Sequence, residues 1–195
     1  MIKTGLLFGS FNPIHIGHIA IAGYMKEFEL MDEIWFIVSP QNPFKSPQQL
    51  VSPAARLEMT RLAVEGYPAF RTSDIEFNMP LPSYTINTME NLKEKYYGRD
   101  FHLIIGTDNI KNIGKWKDGK KLLRDQKFLI YPRLNTDNSG LYQFSNARLT
   151  DAPVIELSST FIRESIRKGK DMSAFLPTVT YSYIQKNGFY SLKTE

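Results

Sequence analysis

Residues 3–18 read KTGLLFGSFNPIHIGH, and this stretch decides the fold. Its first part, from Lys3 to Gly9, is a short apolar run of the kind that forms a buried strand. The Asn-Pro step that follows indicates a turn, and a helix is predicted to begin near Gly17. A buried strand that passes through a glycine loop into a helix is a typical unit of an α/β sheet.

The rest of the chain repeats this alternation. Further strands are predicted at residues 33–39, 70–73, 101–106, 127–131 and 153–157, and further helices at residues 52–64, 86–97, 158–167 and 178–186. Such alternation implies a doubly wound, mostly parallel, Rossmann-like α/β sheet with helices on both faces, whose ligands bind beyond the carboxyl ends of the strands. No repeat or linker divides the sequence, so residues 1–195 are predicted to form one catalytic domain.

The composition excludes several kinds of site and partner. The chain has 195 residues and no cysteine, which rules out disulfides, thiol nucleophiles and iron–sulfur clusters. The net charge of +4 is dispersed, so no nucleic acid partner is expected. No apolar run approaches the roughly 18 residues of a membrane span. The resulting expectation is a cytoplasmic protein with no membrane partner.

Two imidazoles, His15 and His18, stand three residues apart in the loop after the first strand. At a helix amino terminus they can donate hydrogen bonds to phosphate oxygens, alongside backbone amides and the helix dipole. Taken alone, the pair is more typical of a turn residue and a helix cap. A metal site is less favoured, because the third histidine, His102, falls in a different predicted strand.

A second polar cluster, Ser158-Ser159-Thr160, follows the last predicted strand and opens a helix that carries Arg163. Its hydroxyl and amide groups could bind phosphate, with the guanidinium as a bidentate donor. On its own, the cluster also fits a simple N-cap.

Together these two segments resemble the two signatures of the nucleotidyltransferase superfamily. Gly9 to His18 matches Gly-x-Phe-x-Pro-x-His-x-Gly-His, and Leu157 to Arg163 resembles Ile-Ser-Ser-Thr-x-Ile-Arg. Residues 105–109 resemble a Gly-x-Asp motif whose aspartate contacts a nucleotide ribose. The resemblance implies an ATP site of the nucleotidyltransferase type. Its residues would be Gly9, Ser10, Phe11, His15, His18, Gly106, Asp108, Ser158, Ser159, Thr160 and Arg163.

The intervening segments are similar to those of bacterial nicotinate-nucleotide adenylyltransferases, over nearly the whole chain. Residues 38–45 resemble their proline-rich loop, in which Lys45 matches a phosphate-binding lysine and Phe44 replaces the usual histidine. Residues 82–88 resemble their Pro-Ser-Tyr-Thr-Ile-Asp-Thr segment, with Asn87 in place of the aspartate. By this likeness the pyridine nucleotide would be bound by Lys45, Ser83, Tyr84, Thr85, Trp116 and Arg133.

Several of these residues also have plain structural interpretations. Asp108 fits a helix cap, Trp116 fits a core residue under a loop, and residues 82–88 fit a turn before a helix. Arg133 lacks the Pro-Gly that usually follows it in the family.

The resemblance implies that a phosphate oxygen of nicotinate mononucleotide attacks the α-phosphorus of ATP and expels pyrophosphate. Mg²⁺ is expected to arrive with ATP rather than in a protein metal site. His15, His18, Lys45 and Arg163 are then the expected catalytic residues, acting by positioning and charge neutralisation. Two alternatives stay open: another phosphorylated acceptor, such as nicotinamide mononucleotide or phosphopantetheine, and a non-catalytic nucleotide-binding sensor.

Overall fold

The computed structural model describes residues 1–42, 50–134, 136 and 145–191, and a six-stranded sheet runs through these residues. Its strands are β1 (Ile2–Gly9), β2 (Glu33–Val38), β3 (Phe70–Ser73), β4 (Arg99–Gly106), β5 (Lys127–Tyr131) and β6 (Ala147–Leu149). They lie in the order β3-β2-β1-β4-β5-β6, and every neighbouring pair is parallel. The predicted doubly wound parallel sheet is confirmed.

Helices pack on both faces of this sheet. In the described part of the chain they are α1 (Ile16–Glu27), α2 (Pro53–Val64), α3 (Thr85–Lys95), α4 (Thr107–Lys111), α5 (Gly119–Asp125), α6 (Ser159–Arg167) and α7 (Thr178–Asn187). Successive strand residues point to opposite faces. Leu7 and Phe36 therefore join the apolar cluster under α1, α2, α6 and α7, whereas Leu6 and Trp35 join the one under α3, α4 and α5.

The strand order reverses at β1, which lies between β2 and β4. In open α/β sheets this reversal leaves a crevice at the carboxyl ends of the strands, where ligands bind. Gly9 and Gly106 are the last residues of β1 and β4, so both predicted glycine loops start at this crevice. None of the helices within the described residues is long and apolar enough to cross a membrane.

The predicted strand at residues 153–157 was wrong. The edge strand is β6, which ends at Leu149, and residues 151–158 have no regular structure. Pro153 has no amide hydrogen to donate to a neighbouring strand. The apolar side chains that suggested a strand, Ile155 and Leu157, line a cleft beside the two predicted histidines instead.

Candidate active site

Two adjacent cavities lie at the carboxyl end of the sheet. The larger has a volume of about 460 Å³, and its wall includes Gly9 and Gly106 from the two central strands. The smaller is a cleft that contains both predicted histidines. Leu7 and Tyr131 belong to the walls of both cavities. Two ligands bound there would therefore meet near the end of β1.

The loop after β1 is held by the ring of Phe11. This residue has a φ of +44°, in the left-handed region that a β-carbon disfavours, and it is 2% exposed. Its ring packs against His18 and Phe36, with centroids 5.1 and 5.7 Å away. A β-carbon on Gly9 would lie 2.9 Å from the same ring, so glycine is required there. Phe11 thus lies beneath the loop, where it supports His18.

The two histidines lie at the amino terminus of α1. His15 is the N-cap, and its backbone amide donates a hydrogen bond to Nδ1 of His18 over 3.2 Å. Because Nδ1 of His18 accepts this bond, the ring proton lies on Nε2, which can donate to a ligand. The two rings stack with centroids 3.8 Å apart. The structure therefore brings the predicted pair together at a helix amino terminus.

His15 carries no charge at neutral pH. Burial, with a smaller contribution from the positive charge of Arg133, lowers the pKa of His15 from 6.5 to about 4. The residue is only 4% exposed. His15 can therefore hydrogen-bond to a phosphate as a neutral ring, whereas the permanent positive charge in the same cleft belongs to Arg133.

The buried imidazole of His15 should make stability depend on pH. The unfolded chain takes up this proton near pH 6.5 and the folded protein only near pH 4, so the stabilisation is complete above pH 6.5 and is lost between these values. Between pH 7 and pH 4.5, His15 should lower the free energy of unfolding by about 2 kcal/mol. We expect urea unfolding to show a correspondingly smaller loss for His15→Asn, which keeps a good N-cap residue. Equal losses in both proteins would contradict the assignment.

The second signature packs directly onto the loop after β1. Ser158 caps α6 by accepting a hydrogen bond from the amide of Phe161, and Ser159 donates to the carbonyl of Pro13 over 2.9 Å. Arg163 donates from Nη1 to the carbonyl of Asn12 over 2.9 Å. Its buried Nε has no hydrogen-bond partner among the described residues. The two signature segments, from opposite ends of the chain, are therefore in contact.

Two further contacts complete this junction. Nη2 of Arg163 donates to the hydroxyl of Thr160 over 3.3 Å. The hydroxyl of Tyr190 donates to Oδ1 of Asn12 over 2.9 Å, from a side chain that is 9% exposed. The segment after α7 therefore also holds the loop that carries the histidines.

The larger cavity gathers most of the residues predicted to bind the pyridine nucleotide. Ser83, Tyr84 and Thr85 lead into α3 and line its wall. Trp116 lines it as well, and it is half-buried because it also packs against the apolar cluster under α3. The two interpretations of Trp116, a core residue and a cavity wall, both describe its position.

Two lysines that the sequence pattern left without a role lie on the same wall. Lys115 and Lys117 flank Trp116 and line the larger cavity. The ammonium group of Lys117 lies 4.8 Å from the centre of the Tyr84 ring. The only signal for them in the sequence was the basic Lys-Trp-Lys run itself. Aromatic rings and positive charges thus occur together in the larger cavity.

The residues that follow β1 and β4 carry further polar groups of the candidate site. Ser10 follows Gly9 in the wall of the larger cavity, and its buried hydroxyl has no hydrogen-bond partner within the described residues. Asp108 lies exposed in the first turn of α4, and a β-carbon on Gly106 would collide with its carboxylate. Glycine at the end of β4 therefore leaves room for this carboxylate.

One predicted ligand of the pyridine nucleotide, Arg133, lies apart from the others, and a second is not described. Arg133 lines the smaller cleft with His15, because β5 ends there and Nη1 donates to the carbonyl of Ile155 over 3.2 Å. Lys45 and its neighbour Phe44 lie outside the described residues.

Arg56 in α2 is a site residue that the sequence did not reveal. It is 0% exposed, and it donates hydrogen bonds to the backbone carbonyls of Ser10, Ser39, Pro40 and Val51 over 2.6 to 3.1 Å. Burial lowers the pKa of Arg56 to about 10, so it remains charged at neutral pH. Arg56 joins the loop after β1 to the loop after β2.

Glu76 is a second site residue that the sequence did not reveal. It lies in the short 3-10 helix Ile75–Asn78, is 1% exposed and belongs to the wall of the larger cavity. Its carboxylate accepts hydrogen bonds from Ser39, Ser83 and Thr88. Its partners come from the end of β2 and from the segment that runs into α3, so no local pattern could predict this arrangement.

A family model and known proteins match most of the length of this chain. The model of the cytidylyltransferase-like family matches residues 6–165. A protein from Bacteroides fragilis is 48% identical over 93% of this chain and 90% of its own. One from Flavobacterium johnsoniae is 44% identical over 97% of this chain and 99% of its own. Both carry the name "probable nicotinate-nucleotide adenylyltransferase".

Solved structures share the fold. The nicotinic acid mononucleotide adenylyltransferase of Plasmodium falciparum, in complex with NaAD, superposes with a TM-score of 0.84. The match covers 97% of this chain and 98% of the other, at 23% identity.

Proposed function

The chain belongs to the cytidylyltransferase-like family and, within it, to the nicotinate-nucleotide adenylyltransferases, and from this we propose its reaction and the role of each site residue. The enzyme transfers the adenylyl group of ATP to nicotinate mononucleotide in NAD biosynthesis. An oxygen of the mononucleotide's 5′-phosphate forms a bond to the α-phosphorus of ATP. The bond from that phosphorus to the bridging oxygen of the β-phosphate breaks, and pyrophosphate leaves.

The adjacency of the two cavities is the observation that supports this reaction best. One cavity contains the histidine pair next to the α6 signature, and the other contains Tyr84 and Trp116. We assign part of ATP to the first, a cleft of about 20 Å³ that is too small for the whole molecule, and the mononucleotide to the second. Leu7 lines both, so the reacting phosphates would meet at the end of β1. Direct transfer needs no protein nucleophile, because holding the groups in line and neutralising charge lower the barrier.

The polar groups around the loop after β1 would perform these tasks. Nε2 of His18 and the guanidinium of Arg163 would donate to phosphate oxygens of ATP. The hydroxyl of Ser10 lies in the acceptor cavity without a hydrogen-bond partner in the described part of the chain, and it would bind the acceptor's phosphate. We assign Lys45 to charge neutralisation on the strength of the family likeness.

The amino terminus of α3 supports an acceptor that carries a carboxylate. Tyr84 is its N-cap and forms no side-chain cap, and the first turn contains no acidic residue. Thr85, the first residue of α3, lines the cavity. Uncapped amides at a helix amino terminus favour an anion. We therefore propose the acid, nicotinate mononucleotide, over its amide.

Mg²⁺ is proposed to enter with ATP. Across the residues that the structure describes, no three histidine, aspartate or glutamate side chains come together to hold a metal ion. Mg²⁺ commonly keeps several waters and binds through substrate phosphates, a mode that these residues fit. When bound, it neutralises charge on the phosphates.

Pyrophosphate release from ATP and Mg²⁺ tests this function, with three acceptors compared in parallel. We expect rapid release with nicotinate mononucleotide, slower release with nicotinamide mononucleotide and none above background with phosphopantetheine. Equal use of the two pyridine nucleotides would refute the acid preference. ATP binding without pyrophosphate release with any acceptor would indicate a nucleotide sensor.

A further inference from the structure

The carboxylate of Glu76 is buried in the wall of the larger cavity and accepts three hydrogen bonds. Oε2 accepts from the hydroxyls of Ser39 and Ser83, each over 2.6 Å, and Oε1 accepts from Thr88 over 2.8 Å. An ionised carboxylate without such donors is costly to bury. The three hydroxyl groups therefore make this position possible for an acid.

The partners of Glu76 come from two segments, one that follows β2 and one that runs into α3. Ser39 follows β2, Ser83 precedes α3, and Thr88 lies in the second turn of α3. Thr88 is fully buried, whereas Ser39 and Ser83 line the cavity. The single hydroxyl proton of Thr88 is shared with the carbonyl of Tyr84, which lies 3.2 Å away. Glu76 thus ties the start of α3 to the end of β2.

The same chain of hydrogen bonds continues to the loop after β1. Ser39, which donates its hydroxyl to Glu76, accepts at its carbonyl from Arg56 over 2.6 Å. Arg56 donates in turn to the carbonyl of Ser10 over 2.7 Å. Arg56 holds the loop after β1 directly, and Glu76 reaches that loop only through Ser39 and Arg56. Loss of Glu76 should therefore disturb the acceptor cavity more than the ATP cleft.

We propose that Glu76 is a positioning residue for the pyridine mononucleotide, which acts through its hydrogen bonds to Ser39, Ser83 and Thr88. It holds the segment from Ser83 to Thr85 against the cavity, so that Tyr84 and the first amides of α3 are in place before the acceptor binds. This inference rests on the proposed assignment of the larger cavity to that acceptor.

The hydrogen bonds, rather than the negative charge, should carry this role. Glu76→Gln keeps the size of the side chain, and its amide oxygen can still accept from Ser39 and Ser83. Its amide nitrogen then faces the hydroxyl of Thr88, which can accept from it and still donate to the carbonyl of Tyr84. Glu76→Gln therefore keeps a hydrogen bond to each of the three hydroxyl groups, whereas Glu76→Ala removes all three.

Steady-state kinetics with both substrates varied test the inference. For Glu76→Ala we expect the KM for nicotinate mononucleotide to rise about tenfold or more, with less than about a twofold change in the KM for ATP. Glu76→Gln should restore the acceptor KM to within about threefold of the original protein. The matched control is Glu33→Ala. Glu33 is also buried, and it accepts a hydrogen bond from a threonine hydroxyl. It is the first residue of β2, so it lies at the amino-terminal end of the strands, away from the cavity. Both KM values should be unchanged in this control.

Thr88→Val provides a second variant in case the alanine variant does not fold. Valine is nearly isosteric, and position 88 lies behind the cavity wall, so a selective rise of about threefold in the acceptor KM would have to act through Glu76 or Tyr84. Parallel rises in both KM values, an unchanged acceptor KM, or a glutamine variant as impaired as the alanine variant would each overturn the proposal. The two proposals fail in different ways. If the unmodified enzyme does not use nicotinate mononucleotide, the proposed function is wrong. If it does, and the Glu76 variants show no selective change in the acceptor KM, only the positioning role is wrong.

Discussion

Replacing His18 with alanine should lower turnover by about 100-fold or more, the usual effect of losing one preorganised donor. Nε2 of His18 is a fixed donor because Nδ1 accepts from the amide of His15, and the ring is held between His15 and Phe11. The measurement is kcat for pyrophosphate release at saturating ATP and nicotinate mononucleotide. Circular dichroism and thermal unfolding would establish that the variant is folded.

His18→Asn separates the catalytic role from the structural one. The amide oxygen of asparagine can accept from the backbone amide of His15, as Nδ1 does, but the side chain has no equivalent of the donor at Nε2. We therefore expect a folded protein with turnover as low as that of the alanine variant. A folded variant of either kind with near-normal turnover would remove His18 from the mechanism.

Replacing Arg56 with methionine should destabilise the fold by about 4 kcal/mol, since three buried carbonyl groups and one part-buried carbonyl group lose a charged donor. For a chain of this size the melting temperature should fall by roughly 10 °C. Urea unfolding monitored by tryptophan fluorescence would measure the change.

Arg61→Met is the matched control for this variant. Arg61 lies in the same helix, α2, but its side chain is 53% exposed and pairs with Glu58 and Glu65 on the surface. Such pairs contribute little, so the control should change the free energy of unfolding by less than about 1 kcal/mol. Equal effects of the two substitutions would show that the carbonyl contacts of Arg56 do not matter for stability.

The contrast between Arg56 and Arg61 also shows which parts of this protein can be predicted from sequence. Apolar periodicity and caps depend on neighbours in the chain, so the first five strands and the helices that start at Ile16, Pro53 and Ser159 were predicted correctly. The burial of Arg56 depends on carbonyls from three other segments. No local pattern distinguishes it from the exposed arginine five residues later.

One strand was predicted wrongly and two short helices were not predicted. The Val-Ile-Glu-Leu run before Ser158 is mostly apolar, like a buried strand, but Ile155 and Leu157 line the cleft at the histidines and Val154 is exposed. The short helices α4 and α5 were not predicted, because five and seven residues provide too few turns for a periodic signal. The signature motifs located most of the candidate site, whereas Glu76 and the lysines beside Trp116 emerged only from tertiary contacts.

The contacts of Asn12 have a consequence for synthesis of the protein. Its partners Arg163 and Tyr190 lie 151 and 178 positions further along the chain. On the ribosome, the loop with the histidines is made before its partners and must wait for a further 178 residues before all of these contacts can form. A nascent chain interrupted before Tyr190 lacks the hydroxyl that binds Asn12. Synthesis must therefore reach Tyr190 before the nucleotide site is complete.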